Sequence, residues 1–122
     1  MKISFDALPA KPGEIAIRFV AADRCGEIVP RVSEQEFSGS PNAILFNREQ
    51  EALYVGLGGR EKITGSTLRS AAGTAAMFLK KIGRIRLVVN LEEWPQFAGA
   101  VVEGFTLANY RFEQFLQKKS LL

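Results

Sequence analysis

The sequence predicts an α/β fold, a mixed and partly parallel sheet of about five strands flanked by helices. Three observations carry that expectation. Short apolar or alternating stretches bounded by glycine and proline read as strands. Two longer segments repeat apolar residues every three or four positions and read as helices. One of those helices lies between two strand-like stretches, the order of a βαβ unit whose strands run parallel. The 122 residues are 47% hydrophobic and 24% charged, a balance that favours a packed core over disorder. One domain over 1–122 is therefore expected.

The first two strands fall at 3–5 and 14–21, separated by the breakers Pro9, Pro12 and Gly13. From 23 to 41 neither period holds, and no element is assigned. Residues 43–46 and 52–56 read as two strands of a hairpin joined by the polar turn Asn47-Arg48-Glu49-Gln50-Glu51. Beyond Gly59 the period becomes helical, with Leu68, Ala72, Ala75, Leu79 and Ile82 on one stripe. Thr64 or Ser66 can cap that helix and Gly83 can stop it, so it should span about 64–82. Residues 85–91 are β-branched and apolar enough for a mostly buried strand. The final helix is expected over about 95–117, because Phe97, Val101, Phe105, Ala108, Phe112 and Phe115 share one face. Pro95 suits its first turn, while Glu92 and Glu93 before it and Lys118 and Lys119 after it complement the helix dipole. Trp94, at the start of this helix, is expected in the core.

Composition excludes several chemistries. There is no histidine and a single cysteine, Cys25. A Cys/His zinc centre is therefore out, as are a Ser–His triad and an activated thiol, and no internal disulfide can form. Glu92 and Glu93 are adjacent and point in different directions, which suits a paired acid and base poorly. The net charge of +3 is spread over scattered lysines and arginines, which read as solvated surface and speak against nucleic acid as a partner. No apolar run approaches a membrane span, and no secretory leader is recognisable, so a cytoplasmic location is expected.

One motif invites a binding role: Gly56, Gly58, Gly59 and Arg60, where a strand empties into a glycine-rich turn ahead of a helix. Such a turn can offer bare N–H groups to a phosphate or nucleotide. The spacing departs from G-x-G-x-x-G, since Glu61 stands where the last glycine would be. The competing reading is structural: the glycines let the chain turn at positive φ and pass beneath the alanine-rich helix.

The same stretch, Leu53-Tyr54-Val55-Gly56-Leu57-Gly58 followed by Arg60-Glu61-Lys62-Ile63-Thr64 and Leu68-Arg69-Ser70-Ala71-Ala72-Gly73, resembles leucyl (cytosol) aminopeptidases. The likeness continues through Val102-Glu103-Gly104 and Tyr110-Arg111-Phe112, similar to the "VEG" and "YRF" of the helix that closes the N-terminal domain of that family. The resemblance implies a macrodomain-like, three-layer N-terminal domain with no catalytic residues of its own. Its role would be accessory: positioning, oligomerising or regulating a metallopeptidase domain that removes N-terminal residues from peptides. It further implies two divalent metals, zinc or manganese, held in that catalytic domain and none in this chain. If the chain is a fragment of such an enzyme and not a stand-alone relative, the catalytic domain would be a partner in cis, and the family's hexamers make a homo-oligomer the other expected partner. The alternatives are a small-ligand module binding phosphate, nucleotide or an ADP-ribose-like group at the glycine turn, and a DNA-contacting module. One departure stands out, a shorter connection between Asp23 and Phe37-Ser38-Gly39 than family members have.

Overall fold

The computed structural model describes residues 2–5, 13–24, 37–83 and 86–120. Five strands form one sheet: β1 (Lys2–Phe5), β2 (Ile15–Ala21), β3 (Ile44–Asn47), β4 (Ala52–Gly58) and β5 (Arg86–Asn90), in the order β1-β5-β2-β4-β3. β2 pairs in parallel with both β4 and β5, β5 in parallel with β1, and only β3 runs antiparallel, against β4. The sheet is thus mixed and partly parallel, and the hairpin expected from 43–56 is present. The two strands at the N-terminal end of the chain are not neighbours, because β5 lies between them.

Helix α1 (Gly65–Lys81) joins β4 to β5, and α2 (Ala98–Ser120) follows β5 after a 3₁₀ turn at Pro95–Phe97. Thr64 is the cap of α1: its backbone is extended, and its N–H donates to Thr67 Oγ1 at 3.1 Å. At the other end Gly83 takes φ +75° just past the helix, the left-handed conformation glycine adopts without a Cβ penalty. Leu68, Ala72, Ala75 and Leu79 are fully buried, as their spacing requires. Ile82 is not, being 39% exposed. It is the C-cap residue, and its backbone has left helical geometry, so its side chain no longer follows the stripe.

The main core lies between one sheet face and both helices. Ile15, Ile17, Phe19 and Ala21 of β2, Leu53, Val55 and Leu57 of β4, and Leu87 and Val89 of β5 supply it from the sheet. From α2 come Val101, Phe105 and Ala108, beside Trp94. The opposite face carries a smaller cluster of Val20, Phe37, Ala52 and Tyr54. Both described helices cover the first face, so a third layer over the second face is not among the described residues. The side chains of Phe112 and Phe115, the far end of the predicted stripe, and the whole of Cys25 lie outside what is described.

Helices α1 and α2 lie against each other with almost nothing between them. A Cβ on Gly104 would stand 2.3 Å from the Arg69 carbonyl oxygen and 2.8 Å from the Ala72 Cβ. Gly104 therefore presses its bare backbone onto the turn of α1 that begins at Arg69, and Gly73 stands on the same contact. At its edge Arg69 Nε donates to Glu103 Oε2 at 2.8 Å, with both side chains largely exposed.

Candidate functional site

Because β2, β4 and β5 are parallel, the loops that follow them emerge together at one end of the sheet. This is the place where open α/β sheets ordinarily hold ligands. Three short turns meet there: the 3₁₀ turn Ala22–Arg24 after β2, the 3₁₀ turn Arg60–Lys62 after β4, and 91–94 after β5. Gly56, Gly58, Gly59 and Arg60 all lie on the second of these or on the strand that leads to it.

The glycines have three different surroundings. Gly56 is still within β4, and a Cβ there would sit 2.1 Å from the Ser40 carbonyl oxygen, so this position needs glycine for close approach rather than for φ. Gly58 has φ +85°, and its missing Cβ would lie 2.8 Å from Pro41 Cγ. Gly59 has φ −65° and open space around it, so nothing local demands a glycine there. The expectation that all three turn at positive φ under the alanine-rich helix is corrected accordingly. Only Gly58 has positive φ, and what presses on these glycines is the 39–41 segment, through its backbone at Gly56 and through the Pro41 ring at Gly58.

Residues 39–43 also engage two of the amides of this turn, those of Gly56 and Gly58. Gly56 N–H donates to the Ala43 carbonyl at 2.8 Å, and Gly58 N–H donates to the Gly39 carbonyl at 2.8 Å. Asn42 N–H returns a bond to the Gly56 carbonyl at 2.9 Å. Gly39 itself adopts φ +78° where it crosses Ala22, and a Cβ on it would meet Ala22 Cα at 3.0 Å. Phe37-Ser38-Gly39, unreadable as an element from the sequence, is thus an anchored stretch: Phe37 fills the second core cluster and Gly39 pins the end of β2 to the end of β4.

Arg60 is the centre of the polar side chains at this end. Its Nε donates to Asp23 Oδ2 at 3.0 Å, its Nη2 lies 3.8 Å from Glu93 Oε2, and its Cζ stands 5.2 Å from the centre of the Trp94 ring. Glu93 also approaches Arg18 Nη2 at 3.9 Å. Trp94 is 5% exposed and donates its indole N–H to the Phe19 carbonyl at 3.1 Å, which confirms it as a core residue. Glu93 precedes the 3₁₀ turn that leads into the α-helix at Ala98, and its carboxylate faces the guanidinium groups of Arg18 and Arg60. On the second sheet face, Tyr54 donates its hydroxyl to Gln50 Oε1 at 3.0 Å; burial pushes its phenol above the ordinary value, and Arg18 opposes that shift.

Sequence reasoning named Arg60 but missed Asp23, Glu93 and Trp94 as its companions. They come from two other loops, after β2 and after β5, and no local pattern links those loops to Arg60. A second concave feature, a groove of about 800 Å³, runs between α1 and α2 beside the edge strand β3 and is walled by Ile44, Arg69, Gly73, Met77, Phe78 and Leu107. Among the described residues its walls hold no pair of acid and base. Among the described residues, no group of three or more His, Cys, Asp or Glu residues is placed to hold a metal ion, and no helix is long and apolar enough to cross a membrane.

Comparison with known proteins supplies the frame for these features. Among relatives, a probable cytosol aminopeptidase of Geotalea uraniireducens is 33% identical over 92 residues, covering 67% of this chain and 19% of that protein. One from Persephonella marina is 30% identical over 107 residues, covering 77% and 22% respectively. Another, from Rhodococcus jostii, is 38% identical over 68 residues, covering 56% of the chain and 13% of the relative. The chain thus spans about a fifth or less of the length of these curated relatives. No solved structure gives a significant match. A family model described as the N-terminal domain of the cytosol aminopeptidase family matches residues 9–119, and the chain belongs to that family.

Proposed function

We propose that this chain is a non-catalytic accessory domain that positions, oligomerises or regulates a cytosol aminopeptidase catalytic domain. The observation that carries the reading is the match of 9–119 to the family's N-terminal domain, in relatives of which the aligned region makes up 13% to 22%. The rest of such a relative would bring the peptide-cleaving chemistry. The absence of histidine from the sequence fits a division of labour in which this part supplies surface and the other part supplies ligands for divalent zinc or manganese. On this reading the residues 1–122 act as one domain in the cytoplasm, with the catalytic domain as partner in cis and further copies of the same protein as partners in a homo-oligomer.

Two measurements test it. The purified chain is expected to hydrolyse neither leucine amide nor leucine p-nitroanilide with Mn²⁺, Zn²⁺ or Co²⁺ present; metal-dependent turnover that survives repurification refutes the proposal. The positive half is tested by grafting this chain in place of the matching region of the Geotalea uraniireducens relative. Retained aminopeptidase activity supports an accessory role, whereas a folded but inactive chimera argues against it.

A further inference from the structure

The end of the sheet where parallel strands ordinarily hold a ligand is occupied by the protein's own side chains. Arg60 comes from the loop after β4, Asp23 from the loop after β2, and Glu93 and Trp94 from the loop after β5. A single guanidinium therefore touches all three neighbouring strand-end loops. With Arg18 included, two arginines face two carboxylates in this cluster, so each of these charges has an opposite partner. The planar fork of arginine fits this position, because one edge is donated to Asp23 while the group stands over the indole, which a compact ammonium does less well.

We infer that Arg60 is an ionic latch that closes the strand-end crevice over Trp94, and that the latch is released by salt. The Arg60 and Asp23 side chains are 45% and 53% exposed, so their attraction is open to screening; the Debye length shrinks to about 3 Å at 1 M salt. Trp94 beneath is buried and tied to β2 through the Phe19 carbonyl, so it should stay seated while the latch above it opens. Opening then exposes the upper side of the indole to solvent without unfolding the sheet.

Trp94 is the only tryptophan of the chain, which makes its fluorescence a local reporter. The test is acrylamide quenching of the 122-residue chain and of Arg60→Ala, Arg60→Lys and Lys62→Ala, each at low salt and at about 1 M NaCl, with free N-acetyltryptophanamide as the solvent control. Wild type should show a quenching constant that rises with salt. In Arg60→Ala it should be raised roughly twofold or more already at low salt and should no longer respond to salt. Arg60→Lys should fall between the two, and Lys62→Ala, which removes a neighbouring exposed cation, should behave as wild type. Quenching of wild type that ignores salt overturns the inference. It is equally overturned if Arg60→Ala keeps the wild-type constant, or if Lys62→Ala reproduces the effect. Should Arg60→Ala lose its far-ultraviolet circular dichroism, the salt titration of wild type and the lysine variant decide the matter without it.

Discussion

The crossing of α1 and α2 and the Arg60 cluster both join residues far apart in the chain, but they do so by different physics. At the crossing, Gly104 brings backbone onto backbone, with Phe105 and Val101 buried on the neighbouring face and only the rim occupied by the Arg69–Glu103 pair. At the strand ends, contact is made by a half-exposed guanidinium and two carboxylates. The first is fixed by shape and is indifferent to ions. The second has directional, screened attractions and can open without disturbing the core. The same molecule thus uses steric contact where a face must never separate and charge where a crevice is closed reversibly.

The sharpest way to break the comparison is at the crossing's core. Phe105→Ala is expected to cost about 3 to 5 kcal/mol, the usual penalty for truncating a fully buried phenylalanine; urea melts with the slope held constant measure it. A loss below about 1 kcal/mol would mean that the helix does not depend on this face. Next in size is Gly104→Ala, where the added methyl meets a backbone carbonyl that cannot swing aside, at about 1 to 3 kcal/mol. Thermal stability equal to wild type would show that the helices are not held in contact at that point.

Gly58→Val probes the glycine turn and combines positive φ with a clash on Pro41, for an expected loss of about 1 to 3 kcal/mol with no ligand present. Its control is Gly59→Ala, at a position with ordinary φ and free space, which should leave the melting temperature unchanged. If the two variants proved equally damaging, the turn would be constrained by something other than the 39–41 segment. The smallest effect is expected from Arg69→Ala at the crossing's rim, under about 1 kcal/mol because both partners are largely exposed. An Arg69→Ala loss as large as that of Gly104→Ala would make the crossing ionic after all and erase the contrast.

Family membership and the residues that carry it acquire a physical meaning from these contacts. Gly56 is squeezed by the 39–40 backbone and Gly58 by the Pro41 ring, and the glycine of Val102-Glu103-Gly104 is squeezed by α1. Both motifs mark places where a Cβ does not fit. The resemblance thus rests on packing points of the domain, consistent with a part that serves as framework.

Features governed by local period and local chain stereochemistry are legible in the residues themselves. The strand stretches, the α1 stripe of Leu68, Ala72, Ala75 and Leu79, the Thr64 cap and the Gly83 stop could all be read, because each is set by neighbours within about one helical turn or one strand repeat. α2 begins later than its apolar period suggests, since Pro95 opens a 3₁₀ turn before the α-helix begins at Ala98. Strand order belonged to the tertiary structure alone. Inserting β5 between β1 and β2 depends on which edges remain open once β2 has paired with β4, and no residue records that. The same holds for Phe37-Ser38-Gly39, which lacks periodicity because its φ values and burial are imposed by Ala22, Val20 and Tyr54. It holds as well for Arg60, whose partners at 23, 93 and 94 are brought within reach only when three parallel strands end side by side.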